Sequence, residues 1–215
     1  VFGVAASYIL YINKKNLAEK IEPAPQINIA GETREVNRVP QFLLVFLLVT
    51  MIVSLNSTVA MYLPAYLKQK GLDITVAGLA FMFYIIPGSL GGIVVGKYFS
   101  KQDPKKVIII TQLLTAVFLY AVLFTPAPYF LLFIPFAGAC QLSAFPLLVS
   151  HSYTLLPKNK GFAAGSIMGL TWGFSSILIF ITGLLSDLGG SIGYAYKIVS
   201  ILPVFAAVLC LKLDI

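Results

Sequence analysis

Inside long uncharged stretches of this chain, a few side chains can still exchange hydrogen bonds: Asn56 and Ser57, Gln141 and Ser143, Thr171 and Trp172. Amide, hydroxyl and indole groups recognise the donors and acceptors of a ligand, or tie one helix to another. For Asn56 and Gln141 both readings stand, substrate contact and interhelical bonding, while Gln112 reads as a packing contact. Catalysis would need other residues. No helix-spaced His and Glu pair suits zinc, no Ser-His-Asp set converges, and no Gly-x-x-x-x-Gly-Lys loop is present for phosphate. The chain does not read as an enzyme, and no cofactor or metal is implied. Asn56-Ser57-Thr58 matches a glycosylation acceptor, but its depth in an apolar run excludes that use. His151, the one histidine, reads as an interfacial residue beside Lys158 and Lys160 in preference to a proton relay. Cys140 and Cys210 read as small packing residues.

Glycines form the second pattern. Gly88, Gly92 and Gly96 recur every four residues, and so do Gly161, Gly165, Gly169 and Gly173. Residues at i and i+4 share a helix face, so each ladder is a smooth stripe that lets another backbone approach closely. The stripes serve either packing within one bundle or sliding contacts with a separate one, and we expect the second. Pro87, Pro135, Pro146 and Pro203 fall inside apolar runs and are expected to kink them.

The elements that hold these residues follow from composition. The 215 residues are 59% hydrophobic and 11% charged, against about a quarter charged in a soluble domain. Uncharged runs at 39–67, 74–96, 107–150 and 161–186 each reach the roughly 20 residues that span a hydrocarbon core. The third is about twice that length, and Thr125 to Pro128 divide it with two prolines. A sixth span covers 192–213. Backbone groups in lipid must bond within their own segment, and the apolar/polar alternation of barrel strands is missing, so the fold is all-α. Residues 1–12 read as the end of a preceding helix, 13–40 as a solvated linker and 41–215 as a six-helix membrane bundle.

The net charge of +7 reflects orientation in the bilayer, not nucleic-acid binding. If 13–40 is cytoplasmic, alternation places all but Lys68, Lys70 and Lys197 of the 15 basic residues on that side. This agrees with the positive-inside rule. Lys97, Lys101, Lys105 and Lys106 would then hold the loop after the second span near anionic headgroups. Asp187 and Lys197, at the outer ends of the last two spans, are placed to form a salt bridge.

Gly96 to Lys105 resembles the loop motif of the major facilitator superfamily, Gly-x-x-x-Asp-Arg-x-Gly-Arg-(Arg/Lys). Gly96, Lys101 and Lys105 fit, whereas Ser100, Asp103 and Pro104 depart from it. Residues 155–190 with Tyr196 to Pro203 are similar to the bacterial fosmidomycin-resistance transporters: a Leu-Pro and Gly-rich lead-in to the eleventh helix, a Gly-x-Leu-x-Asp exit matched by Gly183, Leu185 and Asp187, and a Tyr-Lys-Ile start to the twelfth. Tyr62 to Gly71 is similar to the end of their seventh.

The resemblance implies the C-terminal half of a twelve-helix carrier, whose two halves rock about a central site. It implies proton-driven drug export across the bacterial inner membrane, with an N-terminal half, a small-molecule substrate, protons and the lipid bilayer as partners. Import of organic anions or sugars on the same fold is the alternative, followed by a non-transporting membrane subunit. By resemblance, the spans of Asn56, Ser57, Gln141 and Ser143 border the cavity. Those of Gly88, Gly92 and Gly96, and of Gly165, Gly169 and Gly173, would face the other half. No Asp or Glu lies in the middle of any span, so a coupling carboxylate belongs in the other half or coupling is not by protons.

Overall fold

The computed structural model describes residues 38–98, 103–126 and 128–213. The helix end expected over 1–12 and the linker expected over 13–40 lie outside them up to residue 37, as does Lys101, while Val39 and Pro40 of the expected linker already belong to the first helix. Each uncharged run forms helix, since no other local structure bonds its backbone internally in lipid. Helix α1 is Val39–Gln69, α2 Ile74–Tyr98, α3 Pro104–Phe124 and α4 Ile134–Leu155, the last preceded by a 3-10 turn at Tyr129–Leu132. The fifth span comprises α5 (Lys160–Gly165), a π turn (Ser166–Leu170) and α6 (Thr171–Leu188). The sixth comprises α7 (Ile192–Val199) and α8 (Leu202–Cys210). Six segments are thus long and apolar enough to cross a membrane, and no strand occurs among the described residues.

Local chemistry sets the ends. Asp103 accepts from the Lys105 N–H at 3.0 Å and Pro104 follows in the first turn, which together start α3. Gly71 and Gly190 adopt positive φ, 87° and 68°, at the turns that close α1 and α6. Pro64, Pro87 and Pro146 lie inside helices. Pro135 and Pro203 instead occupy the first turns of α4 and α8, where a missing N–H costs nothing. The expected kinks at those two positions are therefore helix starts.

Short connections make successive spans antiparallel. At the end we call upper, Lys70 Nζ donates to Leu123 O at 3.4 Å and Gln69 Oε1 accepts from the Ile192 N–H at 3.2 Å. At the lower end, Lys105 Nζ donates to Leu211 O and Leu213 O at 2.7 and 2.9 Å. The most extensive pairing joins α2 to α4, with α1 against α6 and α3 against both α4 and α8.

The buried apolar residues fall into two clusters. The lower one gathers Val45, Leu48, Ile108, Leu148, Ile167 and Cys210. The upper one gathers Leu63, Ala77, Leu119, Phe130, Tyr196 and Val199. Between them, Ser54, Thr58, Gln112, Gln141, Thr171 and Ser200 are all buried. Lipid is as apolar as leucine, so close packing and hydrogen bonds hold such a bundle more than hydrophobic transfer does.

Candidate functional site

The first glycine ladder is filled from within the bundle. A Cβ on Gly88 would stand 2.7 Å from Leu142 Cδ1 and 3.1 Å from Gly138 O. One on Gly91 would collide with the Ala139 carbonyl, and one on Gly138 with the Tyr84 carbonyl. Gly92 would make only ordinary contact, with Pro146 at 3.5 Å, and Gly96 meets nothing within 4 Å. The expectation of sliding contact with a separate half is corrected for Gly88, which with Gly91 forms the close face that locks α2 to α4, while Gly96 stays open. Gly91 and Gly138 were missed. Gly91 follows Gly88 at i+3, the other same-face spacing, but nothing marks Gly138 until α2 and α4 are known to pack.

The second ladder is open. Gly161, Gly165, Gly169 and Gly173 have no atom within 4 Å of a Cβ position. Trp172 beside them is 52% exposed, as are Met168 and Leu170 to a similar degree. The π turn at Ser166–Leu170 interrupts this ladder, and such turns recur at functional sites.

The polar candidates mostly point into the bundle. Gln141 is fully buried and its Nε2 donates to Ile52 O at 2.9 Å, so of its two readings the structure shows the interhelical bond. Ser143 Oγ donates to Cys140 O at 2.7 Å, and Thr171 Oγ1 donates to Ile167 O; both hydroxyls are spent on their own helices. Asn56 and Ser57 are 8% and 9% exposed, and Asn56 Oδ1 and Ser57 Oγ bond to no described residue. Among the six candidates, Trp172 alone reaches the open face.

The charged groups act at helix ends. Lys105 caps the carbonyls of Leu211 and Leu213, as given above. Lys106 pairs with Asp103 at 3.8 Å, both side chains well exposed. Asp187 and Lys197 do not pair: Lys197 Nζ lies 6.0 Å from the centre of the Phe124 ring, and its carbonyl accepts from Tyr120 Oη at 3.1 Å. The expected salt bridge is replaced by a cation–π contact to the adjacent α3. In the upper turn before α2, the Thr75 backbone N–H bonds Asp73 at 2.8 Å and holds its carboxyl below the ordinary value. Cys140 and Cys210 are free thiols, and no cluster of metal-ligating side chains occurs among the described residues.

A helical bundle of six apolar spans, with buried amides and an open glycine face, fits a carrier better than a catalyst. The family model described as Major Facilitator Superfamily matches residues 42–214. The chain belongs to the major facilitator superfamily. No curated protein gave a match. As a member, the chain is a multi-pass membrane protein of the secondary-transporter class, and its partners are lipid and a small-molecule substrate. Of the residues that resemble the superfamily's loop motif, Gly96 lies in the last turn of α2 with open space at its Cβ position, and Lys105 ties α3 to the last span.

Proposed function

We propose that this chain is the C-terminal half, helices seven to twelve, of a proton-coupled exporter of a small drug-like or anionic compound. The observation that carries the reading is the open stripe of Gly161, Gly165, Gly169 and Gly173 on a fifth span exposed along most of its length. A backbone-deep stripe facing only lipid would leave a groove of unmade van der Waals contacts; a second bundle lying along it fills that groove. Trp172, at i+3 from Gly169, then sits where two halves meet and stacks on the substrate. Asn56 and Ser57 lie at the margin of the buried layer. They reach the site when the halves rock apart.

The sequence similarity to fosmidomycin-resistance transporters supports export, and the excess of Lys and Arg at the lower end supports a cytoplasmic lower face in a bacterial inner membrane. No carboxylate lies in the middle of any span, so proton coupling would place the coupling acid in the N-terminal half. The test is fosmidomycin susceptibility of cells expressing the full-length protein, with and without a protonophore. Resistance that disappears on uncoupling is expected. Unchanged susceptibility, or increased uptake of the drug, overturns export of this compound.

A further inference from the structure

The layer between the two apolar clusters is unusual in both position and bonding. Every span whose buried residues join both clusters changes from one to the other through polar groups. Along α1 the lower cluster ends at Val53 and the upper begins at Leu55; along α3 the change falls between Ile108 and Leu119; along α4 between Ala137 and Ala144; and in the sixth span between Val199 and Ala206. Ser54, Gln112, Gln141 and Ser200 occupy these gaps, all of them buried, and Thr58 lies one turn above Ser54.

Contacts between the helices fix their relative depths. Phe118 stacks on Phe136 with ring centres 5.4 Å apart; counting six residues down the antiparallel pair from there sets Gln112 level with Leu142, beside Gln141. Gln141 Nε2 reaches Ile52 O, one turn below Asn56. Tyr120 Oη reaches Lys197 O, which sets Ser200 opposite Val117, about 8 Å above Gln112 at 1.5 Å per residue.

These groups are under-bonded. Neither Gln112 Nε2 nor Gln112 Oε1 bonds to a described residue, and the same holds for Gln141 Oε1, Thr58 Oγ1 and Ser200 Oγ. Buried polar atoms are nearly always satisfied in folded proteins, by protein or by ordered water, and in hydrocarbon an unsatisfied one is especially unfavourable. Just above the layer, a cavity of about 20 Å³ is lined by Val59, Tyr84, Leu119, Ala137 and Tyr196. It exposes only apolar surface, so it is not itself a water site. Tyr84, 1% exposed, has a hydroxyl that bonds to no described residue.

We propose that this six-helix bundle binds internal water at mid-depth, held by the carboxamides of Gln112 and Gln141. The site is inside one bundle, separate from any cavity between two halves, and it does not depend on the direction of transport. Water satisfies both donors and acceptors, whereas a cation would leave the Gln112 NH₂ orphaned and has no carboxylate to balance it. Bonds through water re-pair more readily than interdigitated leucines re-pack. The layer coincides in the sixth span with the break between α7 and α8 at Ser200 and Ile201.

The test is solid-state NMR of the full chain in lipid bilayers, reading magnetisation transfer from water to the Gln112 side-chain amide. A transfer signal is expected, and its absence overturns the proposal. Thermal unfolding gives a second readout whose sign decides. If water bridges the layer, Gln112→Leu orphans the remaining groups and lowers Tm by several degrees, and Gln112→Leu with Gln141→Leu recovers part of that loss. If Gln112 is dry, Gln112→Leu raises Tm or leaves it unchanged, which overturns the proposal. Should the variants not fold, the wild-type water signal alone decides.

Discussion

Gly88 and Gly91 on α2 lie against the backbone and side chains of α4, whereas Gly161, Gly165, Gly169 and Gly173 along the fifth span face open space. Both series are runs of glycine at helical spacing in apolar helices, and by pattern alone they are the same feature. The difference comes from the partner: α4 offers Gly138, so two backbones approach from both sides. No described helix offers the fifth span an equivalent. A small-residue stripe therefore announces a close approach without saying to what.

The contrast breaks most decisively at the packed face. Gly138→Leu and Gly91→Leu should prevent the bundle from forming, and even Gly91→Ala should lower stability by about 1–3 kcal/mol, since a rigid carbonyl stands where the methyl would go. Unfolding monitored in detergent checks this. At the open face, Gly169→Leu should leave the unfolding midpoint within about 0.5 kcal/mol of the parent, while resistance conferred by the full-length protein is lost. A Gly169→Leu protein as unstable as Gly91→Ala would show that the two faces do not differ as described.

Smaller effects sharpen the picture at the lower end. Lys105→Met should lower stability by about 1–2 kcal/mol, because two carbonyls at the end of the last span lose a charged donor. Lys106→Met, which removes only an exposed ion pair, should change little. The smallest effect concerns pH. The Thr75 N–H depresses the Asp73 carboxyl, so its stabilising bond is fully present above the ordinary carboxylate pKa and is lost as pH falls through the lowered one. Asp73→Ala should flatten this part of the profile below about pH 4. An unchanged acid limb in thermal unfolding would contradict the assignment.

The spans were legible because a bilayer imposes one rule, an apolar helix of sufficient length, and the uncharged runs state it openly. Their ends were legible too, down to the division at Thr125 to Pro128. Partner choice was not. The roles of Gly138, of Lys105 as a cap on Leu211 and Leu213, and of Lys197 against Phe124 depend on which helices are neighbours, and apolar all-round helices carry little directional signal. Pro135 and Pro203 were misread for a simpler reason: a proline starts a helix as readily as it bends one, and only the neighbouring turn decides. The run expected from 107 begins at Pro104, because Asp103 followed by Pro104 starts a helix before the charges end. Of the six polar candidates, Gln141 shows the interhelical one of its two readings, while the bonds of Ser143 and Thr171 within their own helices were not read from the sequence.

The π turn at Ser166–Leu170 has a geometric effect on the glycines around it. In a regular helix a step of four residues overshoots a full revolution by about 40°, so glycines so spaced wind slowly about the axis. A turn closed by i→i+5 bonds is wider, and four residues fall short of a revolution. The step from Gly165 to Gly169 thus takes back about what one of the flanking steps adds. The result is a straighter keel than a regular helix would give, against which a neighbouring rod can lie at a shallow angle.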